Sequence, residues 1–184
     1  MSAISSSRCP PPRPCTTCWS SSRTARSLHA VPPQVLDLAP LLAPDRVVVL
    51  PGTPSKALSI SALADLATTD LPAHDRVAFI RAVLEREDVT TTAIGAGVAI
   101  PHARSPAISH CRIAIGVIPR GTAWGAADGL PIRLALLIAA RESDHAEHLR
   151  VMAALAMRLR RPGLAERLAQ INDHAAIVQA VITG

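Results

Sequence analysis

The sequence predicts an α/β fold: a mixed, mostly buried β-sheet flanked by helices on both faces. Three observations carry this. Residues 46–50, 112–118 and 131–139 are β-branched or apolar runs of strand length. Between and after them lie segments whose apolar residues recur at helical spacing. The run at 131–139 is nearly all apolar instead of alternating, which is the composition of a central strand covered on both faces. Strands of this kind alternating with helices define a layered α/β domain.

In chain order, residues 35–42 read as a short helix closed by Pro44, and residues 46–50 as a strand. Residues 55–67 read as a helix, with Ala57, Leu58, Ala62, Leu63 and Leu66 at helical spacing and Ser55 as its cap. A second amphipathic helix covers 72–87, with Val77, Ile80 and Leu84 on one face and Pro72 at its start. Residues 94–102 form a β-type run bracketed by Gly95 and Gly97 that stops at Pro101-His102. Residues 112–118 alternate as a strand, 121–129 form a turn-rich loop, and 131–139 form the central strand. Helices then follow at 144–160, 164–170 and 174–182.

The chain has 184 residues, enough for one domain with a tail. Its net charge is +5, from 19 basic and 14 acidic residues. Residues 1–34 hold Arg8, Arg13, Arg23 and Arg26 and no acid, so residues 35–184 keep 15 basic against 14 acidic groups, a balance of +1. The basic excess therefore belongs to a Ser-, Pro- and Arg-rich segment expected to be a disordered tail. Cys9, Cys15, Cys18 and His29 in that tail lack the second Cys pair of a zinc site. Trp19, Trp124 and Phe79 are the only aromatic residues among Phe, Trp and Tyr, so the core is aliphatic and base stacking on nucleic acid is disfavoured. The longest clean apolar run, 134–140, is far short of the roughly 20 residues that span a bilayer. No apolar stretch follows the basic residues of the N-terminus, so no secretory signal is expected. Four cysteines, one of them alone at Cys111, do not make a disulfide framework. These points predict a cytoplasmic protein without membrane insertion or nucleic-acid binding.

Two clusters carry chemistry. In the first, Pro101 lacks an amide proton and fixes φ, which ends a strand and holds His102 at its edge, where sites of α/β folds gather. A positioned neutral imidazole is a nucleophile as well as a base. Gly95 and Gly97 allow backbone amides to approach an anion. In the second, His145 and His148 are three apart at a helix start, hence on one face. They could meet an anion near His102, or, with His102, form the metal site of a metal-dependent hydrolase, although the spacing is not that of His-Glu-x-x-His enzymes.

The segment Thr92-Ala93-Ile94-Gly95-Ala96-Gly97-Val98-Ala99-Ile100-Pro101-His102 strongly resembles the phosphorylation-site segment of enzyme IIA domains of the bacterial phosphoenolpyruvate-dependent sugar phosphotransferase system, in its fructose, mannitol and nitrogen-regulatory family. The loop Trp124-Gly125-Ala126-Ala127-Asp128-Gly129, the apolar strand after it, the His148-Leu149 helix with Leu155 and Leu159, and Arg86 in Glu85-Arg86-Glu87 extend the resemblance over residues 35–184 in order. It implies the mannitol/fructose-type enzyme IIA fold for 35–184 and no counterpart for 1–34. It further implies that His102 is phosphorylated through Nε2, that His148 hydrogen-bonds the phosphoryl group or orients His102, and that Arg86 offsets its charge, with amides around Gly95 and Gly97 assisting. No cofactor, metal or nucleotide is implied. The implied partners are the histidine-containing phosphocarrier protein as donor, and a IIB domain or a regulated kinase or transporter as recipient. Ala96 stands where the family often has a polar residue such as Asn, and His110 and His145 have no assigned role. Cys111 reads as a buried structural thiol.

Overall fold

The computed structural model describes residues 36–183. The expected tail at 1–34 and its cysteines lie outside the described residues. The described chain forms strands β1 (Val47–Val49), β2 (Ala93–Gly95), β3 (Val98–Ala99), β4 (His102–Ser105), β5 (Arg112–Thr122) and β6 (Ile132–Arg141). Its helices are α1 (Lys56–Ala67), α2 (Ala73–Val89), α3 (His145–Leu159), α4 (Leu164–Leu168) and α5 (His174–Thr183). The sheet runs β1-β5-β6-β3-β2, with β4 also paired to β6. β5 and β6 are antiparallel, whereas β1 on β5 and both β3 and β4 on β6 are parallel, so the sheet is mixed.

The two long strands organise the core because their side chains alternate between two apolar layers. Ile113, Ile115 and Val117 of β5 and Leu134, Leu136 and Ile138 of β6 pack with Val151, Leu155 and Leu159 of α3 and with residues of α4 and α5. The intervening Ala114 and Ile118, with Ala135, Leu137 and Ala139, pack with Ile60 and Leu63 of α1 and Phe79 and Val83 of α2. Helices therefore cover both faces, as the nearly unbroken apolar run of β6 requires. Gly116 lets α1 come close: a Cβ there would lie 3.0 Å from Leu63 Cδ2.

The local signals act as expected at α1, where the Ser55 hydroxyl accepts the Leu58 amide at 3.2 Å. α2 starts directly after Pro72 and runs to Val89 before Thr90 turns extended. Residues 35–42 do not form the expected helix. The described part holds only a 3-10 turn at Ala39–Leu41, because Pro40 cannot supply the amide that a longer helix would need. The segment after Gly97 also differs. The chain does not end its strand at Pro101-His102 but resumes there, and His102 is the first residue of β4.

Candidate functional site

β3 and β4 follow one track along β6. Val98 pairs with Leu134 and His102 with Ile138, an offset of 36 residues in both cases, so Pro101 interrupts the strand without shifting its register. The interruption has a chemical consequence. The Pro101 carbonyl still accepts the Ile138 amide at 3.0 Å. The Ile100 carbonyl lies beyond the last β2–β3 pair and accepts the His102 ring at Nδ1, 2.9 Å away. A carbonyl can only accept, so Nδ1 carries the proton and Nε2 keeps its lone pair.

His102 is 9% exposed and His148, in the first turn of α3, is 7% exposed. Their ring centroids are 5.1 Å apart with planes tilted by 54°. Both rings line one cavity of about 380 Å³, together with Arg86 of α2, Arg104 of β4 and His145 of α3. Burial lowers the pKa of His102 below the ordinary imidazole value, and the cations Arg86 and Arg104 push the same way. Burial, followed by His102, Arg104, His145 and Arg86, drives His148 down to about 4. Both imidazoles are thus neutral near pH 7, and the buried Nδ1 of His148 has no hydrogen-bond partner.

Arg86 reaches this cavity because the end of α2 is tied to the start of β2. The Glu87 side chain, 3% exposed, accepts the Thr92 amide at 3.2 Å and the Thr92 hydroxyl at 2.5 Å. Lys56 Nζ, 3.4 Å from Glu87 Oε1, balances its charge. With Glu87 turned inward, its neighbour Arg86 is half-buried and donates from Nη1 to the Thr90 carbonyl at 3.1 Å.

The structure thus brings together His102, His148 and Arg86. It does not bring Gly95 and Gly97 to them, and neither lines the cavity. Gly95, Ala96 and Gly97 have φ of 89°, 54° and 71°, three successive left-handed residues in the β2–β3 turn. The amide exposed by that turn is already taken: Ala96 N–H donates to Asp128 Oδ2 at 2.9 Å. A carboxylate of the chain itself thus engages this turn through the Ala96 amide. The metal alternative also lacks its ligand set, since no three His, Cys, Asp or Glu side chains among the described residues are placed to hold a metal ion. Cys111 is buried, with its thiol pushed up to about 11 by burial. Arg104, Glu142 and His145 also line the cavity; the expected site includes His145 only as an anion contact or metal ligand beside His148, and neither Arg104 nor Glu142. For Arg104 a signal existed: it stands two residues after His102, hence on the same face of any strand that continued through Pro101.

Comparison with known proteins identifies the family. Residues 40–183 match the family described as "Phosphoenolpyruvate-dependent sugar phosphotransferase system, EIIA 2", and the chain belongs to it. It is therefore a phosphotransferase component. It is 31% identical over 142 residues to a nitrogen regulatory protein of Bradyrhizobium diazoefficiens, covering 77% of this chain and 92% of that one. It is 32% identical over 137 residues to a fructose-specific EIIA component of Haloferax volcanii, covering 74% and 89%. A match of 33% over 108 residues to the fructose-specific EIIABC component of Bacillus subtilis covers 59% of this chain but 17% of that protein. The fold is that of the nitrogen regulatory protein IIA-Ntr from Neisseria meningitidis, with a TM-score of 0.70 and 22% identity over 78% of this chain and 98% of that one. Among the described residues no helix is long and apolar enough to cross a membrane.

Proposed function

We propose that this chain carries a phosphoryl group on His102 Nε2, received from the phosphohistidine of a histidine-containing phosphocarrier protein. The observation that carries this is the Nδ1 contact to the Ile100 carbonyl, which leaves Nε2 as the lone-pair nitrogen of a buried, neutral ring. In the transfer, the Nε2 lone pair attacks the donor's phosphorus. The donor N–P bond breaks, its electron pair returns to the donor imidazole, and the new N–P bond forms on Nε2. The Nδ1 proton stays in place, and the Ile100 carbonyl dipole stabilises the positive charge that develops on the ring. Phosphoryl transfer needs positioning and charge stabilisation more than covalent help. Arg86 supplies charge from the wall of the cavity, and the unpartnered His148 supplies a hydrogen-bonding group. The carrier domain spans 35–184, with 1–34 as an appended tail, and works in the cytoplasm.

The phosphoryl group then passes to a IIB domain, or the phosphorylated chain regulates a kinase or transporter. Identities of 31% to a nitrogen regulatory protein and 32% to a fructose EIIA component do not divide these two outcomes. Incubation with phosphoenolpyruvate and the general phosphocarrier proteins tests the reading. Mass mapping should place an acid-labile phosphoryl group on His102, and His102→Ala should lose it. Equal labelling of His102→Ala sinks the assignment. Chasing the labelled chain with IIB domains then separates transport from regulation.

A further inference from the structure

The cavity holds two arginines, and only Arg86 has been given a part. Arg104 stands on β4 two residues beyond His102, at register with Ala140 where His102 is at register with Ile138. Alternate residues of a strand project to one face about 6.5–7 Å apart, within the reach of a guanidinium. Both side chains line the cavity, Arg104 on the strand and Arg86 on α2. Neither arginine is held in an ion pair among the described residues. Arg86 rests on the Thr90 carbonyl, and Arg104 donates a guanidinium N–H to the His145 imidazole. Neither partner is a carboxylate, so each guanidinium leaves it far more readily than an ion-pair partner when a dianion arrives. Arg104 is among the charges that lower the pKa of both His102 and His148, so its field reaches both rings.

We propose that Arg104 is a second catalytic cation, which leaves His145 to bind the phosphoryl group on His102 Nε2 together with Arg86, and that His145 is a positioning residue that keeps the guanidinium in the cavity before transfer. This rests on His102 as the phosphorylated residue. It changes the expected role of the β4 wall from scaffold to half of a phosphoryl clamp.

The test uses the 184-residue chain and phosphoramidate, a small phosphoryl donor that needs no docking surface. His102→Ala is the control for the underlying reading: if it is labelled as fast as the parent, that reading fails, whatever Arg104 does. With His102 labelled, Arg104→Gln should slow labelling about tenfold or more, the scale of losing one preorganised charge partner. The 31P resonance should also titrate at higher pH in that variant, because a lost cation makes the second phosphoryl proton harder to remove. Arg104→Lys should restore the titration in part. His145→Ala should slow labelling less and leave the 31P titration where it is in the parent. Labelling at the parental rate with an unshifted titration in Arg104→Gln overturns the proposal. So does a titration shift in His145→Ala as large as that in Arg104→Gln, which would make His145 the contact.

Discussion

His102 and His148 lie in one cavity, yet the strand under the first and the helix under the second are held in different ways. β4 is locked to β6 through four registered pairs, and the His102 ring is tethered again at Nδ1 by its own strand's carbonyl. α3 begins with Asp144 at the cap position but without a side-chain cap bond, and His148 Nδ1 has no partner. Leu149, beside His148 and on the cavity rim, is 63% exposed. The proposed nucleophile is therefore preorganised by backbone, while the facing imidazole is left with a hydrogen-bonding atom to spare. This fits the two tasks. A nucleophile must be in line at the moment of transfer, whereas its neighbour must accommodate a group that arrives and departs.

The largest expected effect breaks the comparison if the two walls are equivalent. His102→Gln should abolish phosphoryl uptake, measured by acid-labile labelling, because no other described nucleophile has this tether. His148→Gln should keep uptake but slow it by about 10²-fold, the scale for removing one hydrogen-bonding group that acts in the transition state. Equal and total loss in both variants would mean that the helix wall also carries the reaction. A wild-type rate in His148→Gln would mean that it carries none of it.

The next effect is on stability and has a definite sign. Burial holds His148 at about 4 in the folded chain, against 6.5 for an unperturbed imidazole. Between these values the unfolded chain binds a proton that the folded chain refuses, so stability rises with pH across that window and falls on acidification. The full gap corresponds to about 3 kcal/mol at most. His102, lowered in the same direction, adds to the slope. Urea midpoints should therefore decline from pH 6.5 towards pH 4, and His148→Leu should flatten that decline. An unchanged slope would show that His148 is protonated as easily folded as unfolded.

The strand wall was also the harder one to read in advance. β6 and the first seven residues of β5 were legible because such aliphatic runs have few other ways to bury themselves, whereas β5 continues through Pro119 to Thr122, into the expected loop. His148 was legible from its place three residues after His145 and from the His-Leu pattern. β4 was not, because Pro101 is a strand terminator by every local rule and His102-Ala103-Arg104-Ser105 has no apolar alternation. Only its constant offset along β6 makes it a strand, and that is a contact between residues 36 apart. The same long-range pairing places Arg104. The sequence reads residues 94–102 as one β-type run, whereas Gly95, Ala96 and Gly97 turn the chain between β2 and β3, and Asp128, the group that fills that turn, comes from a loop 32 residues away from Ala96.

That turn gives the smallest effect, and it tests whether the strand wall is reinforced beyond β6. Ala96 holds a φ of 54°, which costs a non-glycine residue roughly 1–2 kcal/mol. Ala96→Gly relieves this but adds about 0.5–1 kcal/mol of unfolded-chain entropy, so the expected gain is about 0.5 kcal/mol. Asp128→Ala removes the acceptor of the Ala96 amide and of the Leu130 amide at 3.1 Å, and should lose about 1 kcal/mol because both donors can turn to water. The two changes meet at one hydrogen bond, so the double variant should depart from the sum of the single effects by about 0.5 kcal/mol or more. Urea melts of the four chains read this directly. If Asp128→Ala and Ala96→Gly each leave both the midpoint and the labelling rate of His102 unchanged, the turn is an ornament of the sheet edge and the rigidity of the nucleophile's wall comes from β6 and the Ile100 tether alone.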